Sequence, residues 1–177
     1  KGGDPFLFGR GGEEALALAE AGVTYEVIPG VSSALAVPAA AGIPVTHRGI
    51  ASSLSIVTGH AQRDQAMDWR RLASNSDTLV VLMPLANLRH IVSQLVLHGR
   101  TLSTPAAVVQ DGTRLGQRQV VSTLRDIVSE VEKAKLESPA TLIVGEVVSL
   151  AQALNPDANR HRSEPASLVP FPAMEER

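Results

Sequence analysis

Hydrophobic and polar positions follow two different periods along this chain, and the alternation between them predicts a series of strands and helices. Residues Thr78–Met83 and Ala106–Val109 form continuous apolar runs, which are typical of strands covered on both faces of a sheet. The stretch between them repeats its apolar side chains at helical spacing; these are Leu88, Ile91, Val92, Leu95 and Val96. The pattern therefore predicts a helix over Leu88–Leu97 between two buried strands.

The rest of the pattern predicts further strands and helices in alternation. The strands are Tyr25–Ile28, Ser55–Thr58, Gln119–Val121 and Thr141–Val148. The helices are Glu13–Ala21, one from Ser32 or Ser33 to Ala41, Trp69–Ala73, and Leu124–Leu136 with Thr123 as its cap. Pro38 should shorten or kink the second of these helices, because proline removes a helical hydrogen bond. Strands that alternate with helices indicate an α/β sheet.

Loops rich in glycine, serine and proline flank the ends of the predicted strands. They are Gly2–Asp4, Ser32–Ser33, Met83–Pro84, Asp111–Thr113 and Pro139–Ala140. Ligands of open α/β sheets bind beyond the carboxyl ends of the strands, so these loops are the candidate ligand contacts. The first of them opens the chain with no Met and no strand before it, and we therefore expect the chain to be the downstream part of a longer protein.

Composition argues against several classes of function. The chain has 177 residues and 44% apolar side chains, enough for a core, but only 3% aromatic residues and a formal net charge of −2. Negative charge and scarce aromatic side chains argue against nucleic-acid binding. The apolar stretches are shorter than the roughly 20 residues of a membrane span. The lack of cysteine excludes disulfides and thiolate metal sites and fits a cytoplasmic location, and no histidine pair has the spacing of a metal site.

Five segments resemble the tetrapyrrole methylase family, in order and with matching spacing, over nearly all of residues 1–150. They are KGGDPFLFGRGGEEA, VIPGVSSALAVPAAAGIPVTHRG, SIVTGH, LMPLANL and TLIVGEVV. The resemblance implies an α/β fold of two αβα domains, the first one incomplete in this chain, with a cofactor in the cleft between them. It assigns residues 1–47 to the remainder of the first domain, 48–155 to the second domain and 156–177 to a flexible tail.

The resemblance also implies a cofactor and its contacts. The cofactor is S-adenosylmethionine, with S-adenosylhomocysteine as the product and no metal. The contacts carried over by motif are Gly2, Gly3, Asp4, Leu7, Ser32, Ser33, Met83 and Gly112, with Pro139 and Ala140 as further backbone contacts. These residue types suit the ligand, because glycines let the backbone approach it, a carboxylate accepts hydrogen bonds, and leucine and methionine offer apolar walls to an adenosyl group.

The reaction that the resemblance implies is methyl transfer to two carbons of uroporphyrinogen III, through precorrin-1 to precorrin-2, in sirohaem and cobalamin biosynthesis. The substrate carries many carboxylates, so a chain of net negative charge needs local cations. Arg10 is the first candidate because a guanidinium matches a carboxylate, and His47 and Arg48 are the second. No catalytic acid or base is assigned, since the family places those residues upstream of Lys1. The family also implies a homodimer.

Several of these residues also have a purely structural interpretation. Gly2–Asp4 and Asp111–Thr113 are compatible with tight turns, Arg10 with a C-cap or a surface ion pair, and Met83 with a core filler. Two other functions stay open: methylation of a later precorrin, and a catalytically silent fragment that only binds ligand or dimerises. A hydrolase is disfavoured, because the serines weighed as nucleophiles lack a motif such as G-x-S-x-G.

Overall fold

A computed structural model describes residues 2–59, 67–74 and 76–154. In these residues one mixed sheet has five strands in the order β1-β2-β5-β3-β4. The strands are β1 Leu54–Thr58, β2 Thr78–Leu82, β3 Pro105–Gln110, β4 Arg118–Thr123 and β5 Ala140–Val144. Strands β1 and β2 are parallel, whereas β5 is antiparallel to both β2 and β3, and β4 is antiparallel to β3. The predicted α/β class is confirmed, with a sheet of mixed direction.

Helices cover both faces of this sheet. The described helices are α1 Gly11–Glu20, α2 Ser33–Ala40, α3 Trp69–Ser74, α4 Leu88–Leu97, α5 Ile127–Ala134 and α6 Ala151–Leu154, with 3₁₀ turns at Leu85–Asn87 and Glu146–Leu150. One face packs against α3, α4 and α5, and the other packs against α2 and α6. Helix α4 has the bounds that its apolar spacing predicts.

The two central strands form the middle of the core. Every residue of β2 and of β5 is buried, as the continuous apolar run of β2 predicts for a strand covered on both faces. Leu79 and Val81 point to the face of α4 and α5, and Val80 and Leu82 point to the face of α2. A buried side chain of this size contributes about 1.5–3 kcal/mol through the water it excludes, so the sheet centre dominates the stability of the domain.

The predictions for two later elements are wrong in part. Helix α5 begins at Ile127 rather than Leu124, and Thr123 ends β4 instead of capping the helix. The backbone amide of Leu124 is bonded to the Thr104 carbonyl oxygen at 2.9 Å, so this stretch is held by a neighbouring loop before the helix can start. The last strand ends at Val144, because Gly145 has φ +144° and the chain continues as a 3₁₀ turn.

The predicted strand Tyr25–Ile28 is not formed in the described residues. A strand needs a neighbour for its backbone N–H and C=O groups, and the sheet pairings of the described residues include none for this segment. Its side chains are largely exposed, with Ile28 at 73%. The helices on either side of this segment, α1 and α2, are formed. Helix α2 contains Pro38 and ends at Ala40, one residue before the predicted end at Ala41.

Several strand ends meet along one side of the sheet. The carboxyl ends of β1, β2 and β3 lie on the same side as the amino ends of β4 and β5, because the register pairs Thr58 with Leu82, Leu82 with Thr141, and Gln110 with Ala140. We call this side, with the loops that follow Thr58, Leu82 and Gln110 and precede Ala140, the loop edge. Three of the candidate loops predicted from the sequence therefore share one edge.

Candidate functional site

The opening loop packs onto the segment that precedes α2. Gly3 has φ +72°, and a Cβ added to it would lie 3.6 Å from the Cα of Ser32. A Cβ added to Gly30 would collide with the carbonyl oxygen of Gly3. Glycine is thus favoured at position 3 by its positive φ and required at position 30 by close backbone approach. The structure brings together two of the candidate segments, Gly2–Asp4 and Ser32–Ser33.

The side chain of Asp4 links the opening loop to the segment that precedes α2. Its Oδ1 accepts a hydrogen bond from the Phe6 amide at 2.9 Å, and its Oδ2 accepts one from the Gly30 amide at 3.2 Å. An ionised carboxylate can accept about four hydrogen bonds, so Asp4 keeps acceptor capacity for a ligand. Asp4 has a structural role in the loop in addition to the ligand contact predicted for it.

The two candidate serines lie at the start of α2 but differ in burial. Ser32 is 6% exposed, and its Oγ accepts a hydrogen bond from the Ala34 amide at 3.2 Å, so it is the N-cap of the helix. Ser33 is the first helical residue and is exposed. The hydroxyl of Ser32 retains its hydrogen for donation.

The segment around Arg10 wraps tightly around one carbonyl group. The Gly11 amide donates to the Pro5 carbonyl oxygen at 2.9 Å, and Cβ atoms added at Gly9 and Gly11 would lie 2.7 and 2.5 Å from that oxygen. Arg10 lies between them with φ +59°, at the N-cap position of α1, so its interpretation as a C-cap is wrong. Its side chain is 80% exposed, with Nε 3.4 Å from a Glu13 carboxylate oxygen, so the interpretation as a surface ion pair is confirmed; a pair this exposed is weak.

The remaining cofactor candidates are Leu7, which lies on the α2 face of the sheet, and Met83 and Gly112, which lie at the loop edge. Leu7 packs against the core cluster on the α2 face. Met83 follows β2 with φ +54° and a side chain 54% exposed, so its interpretation as a core filler is wrong. Gly112 follows β3, and the Val37 side chain of α2 fills the space where its Cβ would be, 2.5 Å from Val37 Cγ1. Only β5 separates β2 from β3, so Met83 and Gly112 follow strands that lie about 10 Å apart.

Pro139 and Ala140 belong to the same edge. The Asp111 amide donates to the Pro139 carbonyl oxygen at 3.0 Å, which ties the loop after β3 to the start of β5. At the next strand end, a Cβ added to Gly59 would lie 2.7 Å from the carbonyl oxygen of Met83. The loop edge is therefore a set of closely packed backbone turns.

His47 and Arg48 occupy a different position. His47 and Ala51 exchange two backbone hydrogen bonds of 2.9 Å around a turn in which Gly49 has φ +82°. Arg48 is exposed at this turn. The turn ends shortly before the amino end of β1 at Leu54, whereas Met83 and Gly112 lie beyond carboxyl ends. The structure does not join these two residues to the loop edge.

Four residues that shape the site were not singled out as site residues from the sequence. The backbone of a neighbouring loop packs directly against Gly30 and against Gly59. Val37 and Gln117 contact the loop that carries Gly112, Val37 by packing and Gln117 by a hydrogen bond. The Pro29-Gly30 pair marks a turn in the sequence, which is a usable signal. Val37 and Gln117 have no local signal, because their partners are distant along the chain.

Two open grooves lie on the described surface. The larger, about 990 Å³, lies between α4 and α5 and includes none of the candidate residues. The smaller, about 480 Å³, lies beside Gly3 and Gly30 and has apolar walls that include Phe6 and Ile28. Groove volume alone does not identify a binding site, and of these two grooves only the smaller includes a candidate residue, Gly3.

The described residues form neither a cluster of metal ligands nor a helix that could span a membrane. Across 2–59, 67–74 and 76–154, no three His, Asp or Glu side chains are grouped so that they could hold a metal ion. None of the helices in these ranges has the length and hydrophobicity of a membrane span. His60 and the predicted tail 156–177 lie outside the described residues.

The mixed sheet and the loops gathered at its edge define an α/β domain with its candidate ligand contacts at strand ends. The chain matches the family model of the Tetrapyrrole (Corrin/Porphyrin) Methylases over residues 1–128. It belongs to this family, and the resemblance seen in the sequence is confirmed.

Individual members of the family are similar over most of the chain. The uroporphyrinogen-III C-methyltransferase of Priestia megaterium is 47% identical, covering 85% of this chain and 64% of that protein. An S-adenosyl-L-methionine-dependent uroporphyrinogen III methyltransferase of Methanosarcina barkeri is 46% identical, covering 87% and 62%. A crystal structure of uroporphyrin-III C-methyltransferase from Thermus thermophilus, complexed with S-adenyl homocysteine, matches with a TM-score of 0.72 and 40% identity, covering 85% of this chain and 65% of that one. The chain thus spans less than two thirds of the length of these relatives.

Proposed function

We propose that this chain is part of an S-adenosylmethionine-dependent methyltransferase that converts uroporphyrinogen III to precorrin-2, through precorrin-1, in sirohaem and cobalamin biosynthesis. The observation that carries the proposal is its 46% identity, over 157 residues, to a methyltransferase with this cofactor and substrate. The opening loop, α2 and the loops after β2 and β3 lie within the matched family region of residues 1–128. The test is methyl transfer from labelled S-adenosylmethionine to uroporphyrinogen III by the full-length protein that carries this sequence.

The proposed cofactor contacts suit an adenosyl ligand. They are Gly2, Gly3, Asp4, Leu7, Ser32, Ser33, Met83 and Gly112, with Pro139 and Ala140 as backbone contacts. Gly3 and Gly112 carry no side chain that could cover their own backbone groups. The exposed Met83 side chain, next to the loop edge, offers an apolar contact to an adenine ring.

When bound, S-adenosylmethionine supplies an activated methyl group on its sulfonium, and the chain's contribution is to align it. Good orientation of two reacting groups can supply roughly 7–11 kcal/mol of a barrier. In this arrangement Asp4 and Ser32 fix the loops around the ligand through their backbone hydrogen bonds. We expect calorimetry to show that the full-length protein binds S-adenosylhomocysteine. An absence of binding would contradict the proposal.

Arg10 is the proposed contact for substrate carboxylates. Its guanidinium is 80% exposed and only loosely paired, so it is open to a bidentate carboxylate partner. His47 and Arg48 are proposed as secondary contacts, although their turn precedes the amino end of β1. Arg10→Ala should weaken tetrapyrrole binding much more than S-adenosylhomocysteine binding, and Arg125→Ala, an exposed arginine after β4, is the matched control.

Two alternatives are tested by the same assays. A methylase of a later precorrin would transfer methyl groups to that precorrin and leave uroporphyrinogen III unchanged. A catalytically silent fragment would bind S-adenosylhomocysteine or dimerise and show no transfer to either substrate. The observation that favours the first proposal is again the identity to two uroporphyrinogen III methyltransferases.

The domain boundaries, the oligomeric state and the cellular location of the protein are proposed together. The division into residues 1–47, 48–155 and a tail 156–177 is proposed from the family resemblance. A homodimer and a cytoplasmic location are proposed from the family resemblance. Sedimentation equilibrium of the full-length protein and limited proteolysis between residues 40 and 56 are the direct tests.

A further inference from the structure

The loop between β3 and β4 has an uncommon backbone conformation on both sides of Gly112. Asp111 has φ +47° and Thr113 has φ +71°. Positive φ is uncommon for residues other than glycine, and for a β-branched threonine it is an outlier. Such a conformation costs about 1–3 kcal/mol and persists only where the surrounding structure holds it. The neighbours of this loop therefore decide its shape.

Val37 on α2 is the first of these neighbours. A Cβ added to Gly112 would lie 2.5 Å from Val37 Cγ1 and 2.6 Å from Cγ2. Val37 is 6% exposed, and a valine within a helix has one strongly preferred rotamer. Its side chain is a fixed surface against which the Gly112 backbone rests, and the lack of a side chain at position 112 is what allows the contact.

Gln117 is the second neighbour, and it links the loop to the end of α2. Its Oε1 accepts a hydrogen bond from the Thr113 amide at 2.9 Å, and its Nε2 donates to the Ala40 carbonyl oxygen at 3.3 Å. Ala40 is the last residue of α2, where carbonyl groups have no further helical turn to bond. One side-chain amide thus connects the uncommon conformation at Thr113 to the helix.

We propose that Val37 and Gln117 are positioning residues for the adenosyl ligand. They hold the Gly112 backbone against the carboxyl-terminal half of the helix whose amino end carries Ser32 and Ser33. This inference rests on the proposed function, which assigns ligand contacts to both places. Ser33 and Val37 are one turn apart, about 6 Å along the axis, so α2 sets the separation between the two groups of contacts.

A double-mutant cycle in the full-length protein tests Val37, with S-adenosylhomocysteine affinity measured by calorimetry. Gly112→Ala should raise the dissociation constant about tenfold or more, because the new methyl group displaces the loop. Val37→Ala should raise it about threefold, since the loop loses its support. The variant with both changes should bind at least about threefold more tightly than Gly112→Ala alone, because only the Val37 Cβ, 2.9 Å away, would still overlap the new methyl group, whereas Cγ1 and Cγ2 at 2.5 and 2.6 Å are removed.

Two further variants separate positioning from general stability. Val148→Ala removes the same two methyl groups from a residue 1% exposed in the same core cluster, beyond the opposite end of β5. It should lower the melting temperature as Val37→Ala does and leave the dissociation constant unchanged. Gln117→Ala should weaken binding, and Gln117→Glu, which keeps an acceptor for the Thr113 amide, should recover part of the loss.

The outcomes distinguish this inference from the proposed function. Wild-type protein that fails to bind S-adenosylhomocysteine overturns both. Wild-type binding with an unchanged dissociation constant in Val37→Ala, or with no recovery in the double variant, overturns the positioning role alone. An equal loss of affinity in Val148→Ala and Val37→Ala shows a general effect of core cavities and also overturns it.

Discussion

At the scale of single residues, close backbone contacts fix the identity of several glycines around the candidate site. Gly9 and Gly11 both face the carbonyl oxygen of Pro5, and Gly30 faces that of Gly3. Each of these glycines is required because a Cβ would collide with a backbone atom that cannot move independently. The candidate loops therefore depend on the absence of side chains at these positions, which lets backbone segments pack directly against one another.

Adjacent glycines at the start of α1 test this explanation. Gly11→Ala should lower the free energy of unfolding by about 1–3 kcal/mol, because the added methyl group would lie 2.5 Å from the Pro5 carbonyl oxygen. Gly12→Ala is the control, since no atom lies within 4 Å of its added Cβ, and it should be neutral or gain up to about 1 kcal/mol from helix propensity. Urea unfolding of both variants measures the difference, and equal effects would contradict the collision.

Asp77 accepts four hydrogen bonds at the end of the sheet opposite the loop edge. Its Oδ2 accepts hydrogen bonds from the amide and hydroxyl groups of Ser52 and Ser53 at 2.8–3.1 Å. These bonds, first that of the Ser52 amide and then that of the Ser53 hydroxyl, lower the pKa of Asp77. Because the bonds favour the charged form, they tie the approach to β1 to the start of β2 most strongly while Asp77 is ionised.

The lowered pKa of Asp77 predicts a pH dependence with a defined sign. A carboxyl group whose pKa is lower in the folded state stabilises the fold above its unfolded pKa, about 3.9, and this stability is lost as the pH falls through the folded value. Asp77→Asn should therefore reduce stability at pH 7 and flatten the decline of the urea midpoint below about pH 4. Glu137→Gln, at an exposed carboxylate near the loop edge, is the control. An unchanged slope in Asp77→Asn would contradict the assignment.

At the scale of elements, helix α2 has the widest set of connections to the candidate site. Ser32 caps its amino end, Val37 contacts Gly112, and its last carbonyl group accepts from Gln117. Its inward face, with Ala34 at 0% exposure, packs on the sheet. Small residues bring the helix close to the strands, so its position is set by the core before any ligand binds.

Of the two serines at the start of α2, we expect Ser32 to stabilise the helix as its N-cap and Ser33 to contribute little. Ser32→Ala removes the acceptor for the Ala34 amide at a position 6% exposed and should cost about 1 kcal/mol. Ser33→Ala changes an exposed first helical residue and should stay within about 0.5 kcal/mol of wild type. Thermal unfolding of the two variants gives the comparison, and a larger effect at Ser33 would contradict the assigned cap.

On the scale of the whole molecule, the two faces of the sheet have different roles. The face of α4 and α5 is a continuous apolar core, in which Leu79, Ile91 and Leu142 are buried. The other face packs α2, and with it the candidate contacts at the loop edge, against Val80 and Ile143. The core thus anchors the helix that carries the site, so ligand binding and global stability should be linked.

This linkage can be measured directly. A ligand that binds only the folded state at a concentration 100 times its dissociation constant stabilises it by about 2.7 kcal/mol. S-adenosylhomocysteine should therefore raise the melting temperature of the full-length protein by several degrees, and the rise should increase with the logarithm of its concentration. Adenosine and homocysteine added separately at the same concentration are the control. A melting temperature independent of S-adenosylhomocysteine would contradict the proposed cofactor site.

The amino-acid sequence by itself determined the family, the α/β class, and the positions of most helices and strands, because these depend on local periodicity and on motifs of adjacent residues. Only the tertiary structure decided that β5 pairs between β2 and β3 in the opposite direction, so that three candidate loops share one edge. It also decided that Tyr25–Ile28 has no partner strand among the described residues, and that Val37 fills the space beside Gly112. Strand pairing and close packing join residues far apart along the chain, and local patterns carry no record of those partners.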